Sequence, residues 1–379
     1  MSNIIYFFRR TVMFFDFEKT ISHFGYKGEY VSFEEIKAGN INSTYKLVFN
    51  DNGKERVYIL QRINNNVFRD PIGLMENVGN VTEHLRKKLD PNDPEKSRKV
   101  LRFTKTLDGE FVYHDEEDRY WRSYTYVENA TAHNSIEDPV MFYEAGKGFG
   151  AFQRNLSDFP AEMLHETIPN FHNPKSRYND FLEAVKADRA GRVKEVKEEI
   201  DFLVERRELM SRIVDMLETG ELPLRVTHND TKLNNILIDD LTKKAICVID
   251  LDTIMPGSSL YDYGDAIRFG ANTAAEDEPD VSKISVDMEL FKLFTKGFVE
   301  EAAHNFDKNE IHYLPLGALV MTCELVMRFL TDYINGDTYF KIRYPEHNLV
   351  RTRAQMKLMC ELEKKFDEMT EYVDSLIDG

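Results

Sequence analysis

Residues 226–238 of the chain read Val-Thr-His-Asn-Asp-Thr-Lys-Leu-Asn-Asn-Ile-Leu-Ile, and residues 245–252 read Ala-Ile-Cys-Val-Ile-Asp-Leu-Asp. The apolar runs at 235–238 and 245–249 are typical of two short strands, and the polar segment 239–244 between them is typical of a hairpin turn. In such a hairpin residue 235 lies opposite residue 249 or 250. We therefore expect Asn235 and Asp250 to converge at its open end, where one cation can take an oxygen from each.

This stretch contains the side chains that phosphoryl transfer needs. The reaction requires a carboxylate that takes the proton of the attacking hydroxyl, and oxygen ligands that hold magnesium against the phosphates. Asp230 is the candidate base, and Asn235 and Asp250 are the candidate magnesium ligands. We expect His228 to pack and to hydrogen-bond to the backbone. Lys232 follows the base by two residues, and the sequence leaves open whether it reaches the transferred phosphate or is simply solvated.

Two further carboxylates are expected to support this stretch. Asp265 follows Tyr261-Asp-Tyr-Gly264 and is predicted to accept backbone hydrogen bonds that fix the loop around Asp230. Asp252 is predicted to support the metal ligands from behind.

Composition excludes several classes of function. The 379 residues carry a formal net charge of −17, so nucleic acid and anionic membrane surfaces would be repelled. The three cysteines are far apart in apolar surroundings, which indicates reduced thiols and not a disulfide framework or a zinc site. We expect a cytoplasmic enzyme that acts on a small polar molecule. Because no repeated zipper or exposed apolar stripe demands a partner, we expect a monomer.

The longest apolar segment covers residues 314–330 and contains Glu324 and Arg328. Charges inside such a segment are costly in a bilayer, so we predict a buried helix and not a membrane span. A guanidinium in an apolar helix also needs a partner, and Glu324 lies one helical turn before Arg328. The sequence leaves open whether this pair is structural or contacts a substrate.

The predicted secondary structure changes near residue 127. Before it, strand-like segments alternate with turn signals, and after it the pattern is mostly helical. The predicted elements of the first part are strands at 30–33, 44–49, 56–63, 100–104, 111–114 and 119–127, a hairpin turn at 50–53 and a helix at 71–89. We therefore predict an α+β chain with a boundary in residues 124–128, where a hinge between two lobes belongs.

The first long helix of the second part is predicted to begin at Pro139. Its apolar face is formed by Phe142, Ala145, Phe149, Phe152 and Leu156. Three glycines in this helix, at positions 146, 148 and 150, weaken it by up to ~1 kcal/mol each. Such glycines usually mark close packing of another backbone, and we expect that here.

Stretches from both parts of the chain resemble one family. They are Gly39–Tyr45, Tyr58–Gln61, Leu224–Leu237, Ile249–Gly257, Asp265–Gly270, Met327–Leu330 and Tyr344–Arg353. The predicted order is a sheet, then the loop around Asp230, called here the catalytic loop, then the hairpin of residues 235–250, called here the metal hairpin, and then helices. In this order the stretches resemble the aminoglycoside phosphotransferase and choline kinase branch of the protein-kinase-like fold. Within that branch they are similar to the bacterial N-acetylhexosamine 1-kinases. The resemblance implies a two-lobe α+β fold. Residues 1–127 would form a small sheet lobe over the nucleotide, and residues 128–379 a helical lobe with the catalytic loop and substrate pocket.

The resemblance also implies the reaction and its residues. ATP would be the phosphate donor, magnesium the metal, and the anomeric hydroxyl of N-acetylglucosamine or N-acetylgalactosamine the acceptor. It implies a base at Asp230 and magnesium ligands at Asn235 and Asp250. The implied nucleotide contacts are Gly39, Asn42, Ser43, Thr44, Gln61 and Glu128. The implied sugar contacts are Asn40, Phe269, Arg328 and Tyr339.

The chain departs from the related patterns at two positions. Gln61 stands where protein kinases and aminoglycoside kinases carry an ATP-binding lysine, and Arg62 points to the opposite side of the strand. Another group must therefore meet the phosphate charge. Asn40 stands where the resemblance implies a histidine, which leaves the preference between the gluco and galacto sugars open.

Two other functions are compatible with these residues. One is a kinase for a different small hydroxyl compound, such as choline, homoserine or an aminoglycoside. The other is a nucleotide or sugar binder without catalysis, which the intact Asp230, Asn235 and Asp250 disfavour.

Overall fold

The computed structural model describes residues 17–37 and 41–377. The chain divides into two compact units, Met1–Glu128 and Asn129–Gly379, called here the N-terminal and the C-terminal unit. The first contains an antiparallel sheet and the second is mostly helical. The predicted α+β class is confirmed.

Five antiparallel strands form the sheet of the N-terminal unit, in the order β1-β2-β3-β5-β4. They are β1 Glu29–Ile36, β2 Ser43–Asp51, β3 Lys54–Ile63, β4 Tyr113–His114 and β5 Tyr120–Thr125. In the turn between β2 and β3, Asn52 has a φ of 54° and Gly53 a φ of 85°. Two successive residues with positive φ form the tight hairpin turn that suits the twist of the strands. The predicted hairpin is confirmed.

The strand predicted over residues 100–104 is wrong. This segment lies beside β5, since the amide of Thr104 donates to Ser123 at 2.8 Å, but it forms only an isolated bridge at Phe103. β3 pairs along one edge of β5, so the bridge and β4 share the other edge. Neither segment has enough of that edge to form a longer strand, and the strand predicted at 111–114 is likewise reduced to two residues.

Two helices accompany this sheet, α1 Pro71–Lys87 and α2 Lys96–Lys99, and residues 17–22 are also helical. Asp70 begins α1 by accepting the amide hydrogen of Gly73 at 2.9 Å. An acidic cap of this kind satisfies a donor that the helix itself leaves unpaired.

Nine helices and five short strands are described in the C-terminal unit, within residues 129–377. The helices are α3 Pro139–Leu156, α4 Pro174–Ala187, α5 Lys197–Glu205, α6 Arg207–Thr219, α7 Ser259–Gly270, α8 Met288–Ala302, α9 Lys308–His312, α10 Leu314–Asn335 and α11 His347–Ser375. The strands are β6 Ala130–Ala132, β7 Arg225–Thr227, β8 Ile236–Asp239, β9 Ala245–Val248 and β10 Met255–Gly257. β6, β8 and β9 form one small sheet, and β7 pairs with β10 in another.

Close contact between α3 and α8 explains the glycines of α3. A Cβ added at Gly146 would lie 2.2 Å from the carbonyl oxygen of Phe294, and one added at Gly150 would lie 2.4 Å from that of Phe298. Neither carbonyl can yield without moving α8, so both positions exclude a side chain. The close packing predicted for these glycines is confirmed.

The apolar helix α10 lies in the core of the C-terminal unit. It is long and apolar enough to cross a membrane, but 89% of its most apolar window is buried within the fold. The core helix of a globular protein has this character, and the predicted buried helix is confirmed. All three cysteines are free thiols, with Cys247 and Cys323 buried.

Candidate active site

The hairpin of β8 and β9 has the register expected from the sequence. Ile236 lies opposite Val248, and the pairing continues past the strands because the amide of Ile249 donates to the carbonyl oxygen of Asn235 at 2.9 Å. Asn235 itself lies in a 3-10 turn, Leu233–Asn235, just before β8. Asn235 and Asp250 are therefore at the same end of the hairpin.

The turn that joins these strands is fixed by an aspartate. The Oδ1 atom of Asp239 accepts the amide hydrogen of Thr242 at 2.6 Å and its hydroxyl at 2.8 Å. Such a turn holds the register of the two strands, and a slip of one residue would turn Asn235 away from Asp250.

Asp250 has a strained backbone. Its φ of 58° and ψ of 55° are left-handed, a region that residues other than glycine seldom adopt. This conformation costs roughly 1 kcal/mol or more, and strain of this kind often persists at functional sites. Asp250 is also exposed, so its carboxylate is accessible to a cation.

Both oxygens of the Asp230 carboxylate are oriented by neighbouring side chains. The Nζ atom of Lys232 lies 2.5 Å from Oδ1, and the amide nitrogen of Asn235 lies 3.0 Å from Oδ2. The same nitrogen donates to the carbonyl oxygen of Asp230 at 2.7 Å. Since both partners only accept hydrogen bonds, the side-chain nitrogen of Asn235 faces Asp230, and its side-chain oxygen is the atom that could bind a metal.

Lys232 is not simply solvated, because it forms this ion pair with Asp230. Burial by itself lowers the pKa of Lys232, but the charges of Asp230 and Asp265 outweigh it, and the pKa of the ammonium is raised. Lys232 therefore remains positively charged next to the candidate base. About a third of its side chain is exposed.

Asp262 holds the loop that carries Asp230. Its two carboxylate oxygens accept the amide hydrogens of His228 at 2.8 Å and Asn229 at 2.7 Å, and Gln153 donates to it at 2.6 Å. Burial raises the pKa of Asp262, an effect that these donors oppose. The prediction that Asp265 performs this task is wrong.

Asp265 instead pairs with a buried arginine. Its Oδ1 atom lies 2.7 Å from Nη2 of Arg268, and Nη1 of the same guanidinium lies 2.9 Å from Glu276. Both Asp262 and Asp265 face inward from α7. The packing of α7 places Asp262, and not Asp265, under the loop that carries Asp230. The motif alone does not show which of the two aspartates takes this position.

His228 has the packing role that was expected. Its Nε2 atom lies 2.8 Å from the carbonyl oxygen of Ile249, and Nδ1 accepts the amide hydrogen of Asp230 at 3.3 Å. Phe149 and Phe152 pack edge-on against the ring, with centroids 6.0 and 6.1 Å away. Both ring nitrogens are engaged with backbone, so His228 joins the catalytic loop to the metal hairpin and is not placed to transfer protons.

The residues at the end of the hairpin fit a magnesium ion. Within residues 17–37 and 41–377, no group of three or more His, Cys, Asp or Glu side chains forms a metal site. Magnesium usually takes only one or two protein carboxylates and fills its other positions with water and phosphate oxygens. The amide oxygen of Asn235 and the carboxylate of Asp250 are donors of the kind this ion prefers. Asp252 is buried, and its supporting role stays a prediction.

The implied nucleotide contacts lie in the N-terminal unit or at its end. Gly39 and Asn40 lie outside the described residues. Asn42 accepts the amide hydrogen of Asn64 at 3.0 Å, and Ser43 accepts a hydrogen bond from Arg62 at 3.1 Å. The exposed Glu128 is the last residue of the unit.

Gln61 lies on one face of the sheet with Thr44 and a buried arginine. Its amide nitrogen donates to the hydroxyl of Thr44 at 3.1 Å, and its amide oxygen accepts from Nε of Arg122 at 2.9 Å. Arg122 is directly opposite Gln61 on β5 and is only 2% exposed. A cation therefore stands beside the position where related kinases carry their lysine, but it comes from the next strand.

Arg328 belongs to a group of four side chains, in which His172, Arg177 and Arg328, called here the basic cluster, surround the carboxylate of Glu324. Glu324 accepts from Nδ1 of His172 at 3.0 Å, and Nη1 of Arg328 lies 3.6 Å from the same oxygen. Arg177 completes this basic cluster, since its pKa is lowered by burial first and then by the charge of Arg328. Three cationic or protonatable groups thus face a single buried carboxylate.

His172 is the fourth member of this set and also touches the catalytic loop. Its Nε2 atom lies 3.2 Å from the carbonyl oxygen of Asn229, the residue before Asp230. Burial by itself lowers the pKa of His172, but the Glu324 carboxylate outweighs it, and the pKa is raised from 6.5. Burial acts to raise the pKa of Glu324, and His172 and Arg328 hold it below its usual range.

Aromatic side chains flank the guanidinium of Arg328. The ring centroids of Phe171 and Phe340 are each 5.7 Å from its Cζ atom. Phe340 packs against Tyr339, whose side chain is 70% exposed. Phe340 therefore contacts both Tyr339 and Arg328.

The loop that carries Tyr339 is held by one buried carboxylate. Asp332 accepts the amide hydrogens of Thr338, Tyr339 and Phe340 at 2.8 to 2.9 Å, and the amide of Asn348 donates to it at 2.9 Å. Four donors on one carboxylate fix the backbone of this loop.

Phe269 is separate from these residues. It lies in α7 with 36% of its surface exposed, so it is not a core residue. In the part of the chain that the structure describes, no ring contact joins Phe269 to Arg328 or Tyr339.

Four residues of this region were not found from the sequence: Arg122, His172, Arg177 and Asp262. Each acts on a partner more than 30 positions away in the chain. Asp262 is the one that lies in a recognised motif, Tyr-Asp-Tyr-Gly-Asp. A buried charge with no partner in its own helix turn is the only signal that the sequence offers for the others.

The chain is similar in sequence or in fold to known phosphotransferases. A model of the phosphotransferase enzyme family matches residues 32–283. Solved structures with a similar fold include an amicoumacin kinase in complex with AMP-PNP and Ca²⁺ (11% identity, TM-score 0.56, 94% of this chain and 92% of that chain covered). An aminoglycoside phosphotransferase from Alicyclobacillus acidocaldarius has 13% identity, a TM-score of 0.56 and coverage of 91% and 93%. A choline kinase from Cryptosporidium parvum has 15% identity, a TM-score of 0.53 and coverage of 92% and 94%.

Identities this low show likeness of fold alone. Because the family model spans more than half of the chain, the protein belongs to the phosphotransferase enzyme family.

Proposed function

We propose that this phosphotransferase moves the terminal phosphate of ATP to O1 of an N-acetylhexosamine, giving the sugar 1-phosphate. The sequence resemblance to the N-acetylhexosamine 1-kinases supports the choice of acceptor, and the surroundings of Asp230 support a hydroxyl as the nucleophile.

In this proposal Asp230 accepts the proton of the sugar hydroxyl as that oxygen bonds to phosphorus and the bond to ADP breaks. Asn235 and Lys232 hold the two carboxylate oxygens in place, so the base is oriented before the substrate arrives. Asn235 and Asp250 would hold magnesium, which neutralises phosphate charge when bound.

Positive charge for the nucleotide phosphates would come from Arg122 in place of the absent lysine. The guanidinium is buried and orients the amide of Gln61 through a hydrogen bond of 2.9 Å. Because Arg122 is buried, it would act on the phosphates through the amide of Gln61, which is only half-buried. Replacing Arg122 is therefore expected to weaken ATP binding more than sugar binding.

The observation that carries the choice of acceptor is the excess of positive charge in the basic cluster of His172, Arg177 and Arg328 around Glu324. A cationic acceptor such as choline or an aminoglycoside would be repelled there, by about 1–4 kcal/mol for each like charge at ~4 Å. A neutral acylated sugar offers hydroxyl and acyl oxygens that accept hydrogen bonds from guanidinium groups. Arg328 is 14% exposed, which leaves room for such a contact.

Tyr339 and Phe269 are the exposed aromatic side chains that the resemblance implies for the sugar. An apolar sugar face packs well on an aromatic ring, and the fixed backbone around Tyr339 lowers the entropy cost of that contact.

The test is a panel of acceptors supplied with ATP and magnesium and read by release of ADP. The panel contains N-acetylglucosamine, N-acetylgalactosamine, their 1-deoxy analogues, choline, ethanolamine, homoserine and an aminoglycoside. We expect turnover of the acetylated sugars, and none of the 1-deoxy analogues. Turnover of a cationic acceptor in preference to the sugars would replace the proposal with the alternative of an amino-alcohol or aminoglycoside kinase.

A further inference from the structure

The carbonyl oxygen of Asn229 is held by a histidine from outside the catalytic loop. Asn229 has a φ of 64°, a left-handed backbone that is uncommon for a residue other than glycine. Its side-chain amide donates to the carbonyl oxygen of Thr253 at 2.8 Å, and its backbone amide donates to Asp262. His172 supplies the contact to the remaining polar group of this backbone, at 3.2 Å.

Both partners of the His172 ring accept hydrogen bonds and cannot donate them. Nδ1 faces the carboxylate of Glu324 at 3.0 Å, and Nε2 faces the carbonyl oxygen of Asn229. A neutral imidazole has one N–H and one lone pair, so it can satisfy only one of the two. Only a ring with a proton on each nitrogen, an imidazolium, can donate to both partners.

We propose that His172 is a positioning residue for phosphoryl transfer, which as an imidazolium bridges Glu324 in α10 to the carbonyl oxygen of Asn229 and so fixes the backbone that leads into Asp230. The bridge joins the helix that carries Arg328 to the catalytic loop. It rests on Asp230 as the base and is independent of which hydroxyl compound is the acceptor.

The charges around His172 decide when the bridge is present. Glu324 favours the imidazolium, Arg328 opposes it, and Asp265 in α7 favours it. The charge of Arg177 acts on Glu324, whose pKa it lowers. The ring of Tyr261 packs against His172, with centroids 5.5 Å apart. The balance raises the pKa of His172 above its ordinary value of 6.5.

This raised pKa fixes the direction of the pH effect. A group with a raised pKa in the folded protein contributes fully below its unfolded pKa, and the contribution is lost as pH rises through the folded pKa. The neutral ring would turn a lone pair toward Glu324 or toward Asn229. We therefore expect turnover to decline on the alkaline side as His172 loses its proton.

The protonation state can be measured without any substrate. Long-range proton–nitrogen correlation spectra of protein labelled with ¹⁵N-histidine distinguish an imidazolium from a neutral ring. At about pH 6.5, where an ordinary imidazole is half protonated, we expect the signals of His172 to be mainly doubly protonated and to disappear in His172→Gln. A signal from His172 with a single protonated nitrogen would overturn the proposal, whatever the acceptor proves to be.

The second experiment measures kcat against pH for the wild type, for His172→Gln and for a control variant. The acceptor is the one from the panel that is turned over fastest. The wild type should show an alkaline decline, and His172→Gln should lack it and have a kcat lowered about tenfold, the scale of one lost hydrogen bond. The matched control is His312→Gln, which breaks a histidine–carboxylate pair with Asp374 on the surface, 2.8 Å long. It should keep the wild-type profile.

An unchanged alkaline decline in His172→Gln would show that another group titrates and would overturn the proposal. If that variant fails to fold, Glu324→Gln decides the matter, because it removes the charge that holds the proton on His172. The alkaline decline should then move to lower pH, and an unmoved profile would contradict the bridge. If the enzyme does not turn over sugars but His172 is an imidazolium, the proposed sugar acceptor is wrong and the proposal for His172 stands.

Discussion

Replacing Asp262 by asparagine removes one of the two acceptors that hold the catalytic loop. In the wild-type protein the carboxylate accepts three hydrogens at 2.6 to 2.8 Å, from the backbone amides of His228 and Asn229 and from the side chain of Gln153. Asparagine keeps one oxygen and puts an NH₂ group in place of the other. At least one backbone amide then faces a donor instead of an acceptor.

The size of the effect follows from burial. Asp262 is 2% exposed, so water cannot replace the lost partner. Losing a hydrogen bond to a charged group and leaving a buried amide unpaired costs about 3 kcal/mol. For a unit of this size that corresponds to a fall in Tm of roughly 6–12 °C. Because the loop carries Asp230, a displacement of ~1 Å would also lower kcat by about 10²-fold.

The assay measures Tm by calorimetry and kcat by ADP release for Asp262→Asn and for Asp287→Asn. Asp287 accepts two backbone amide hydrogens, those of Glu289 and Leu290 at 3.0 Å each, at the start of α8. The control therefore makes the same chemical change at a helix cap outside the catalytic loop, where asparagine caps about as well as aspartate and the cost is on the order of 0.5 kcal/mol, from the lost charge. We expect a small fall in Tm and an unchanged kcat for the control.

A wild-type Tm and kcat in Asp262→Asn would refute the assignment of the loop anchor. Equal losses of kcat in the two variants would show that the effect is one of general stability and not of loop position.

Three further changes test the roles of single side chains. Asp230→Asn should keep Tm and ATP binding but lower kcat by ~10²-fold or more, the scale of a lost general base, and near-normal turnover would remove Asp230 from the mechanism. Asp250→Ala should abolish magnesium-dependent ATP binding in calorimetry, because it deletes the charged ligand that Asn235 cannot replace; unchanged affinity would contradict this. Arg328→Ala should raise the KM for the sugar much more than that for ATP, and an equal effect on both would make the Glu324–Arg328 pair structural.

The parts of the site that the sequence predicts are those built from near neighbours in the chain. The hairpin register follows from two apolar runs and a turn, so the opposition of residues 235 and 249 could be foreseen. The same holds for the type of turn at Asn52 and Gly53, since only a few residue types adopt positive φ there. The close packing at Gly146 was also predictable, because a glycine in a helix usually has a backbone against it.

The parts that could not be predicted depend on contacts between distant segments. Nothing in the local pattern distinguishes Asp262 from Asp265, because which of them lies under the loop depends on how α7 packs. His172 meets Glu324 across 152 positions, and Arg122 meets Gln61 across 61. The strand expected at 100–104 failed for a similar reason, since β4 competes for the same edge of β5.

The most direct test of the proposed reaction is the position of the new phosphate. Phosphorus and proton NMR of the product formed from an N-acetylhexosamine, ATP and magnesium show which sugar oxygen bears the phosphate and which anomer has formed. We predict a phosphate on O1 in the α configuration, because in the proposed site the contact of Arg328 with the sugar would decide which hydroxyl meets Asp230. A phosphate on O6 would contradict the anomeric reaction and leave only the phosphotransferase assignment standing.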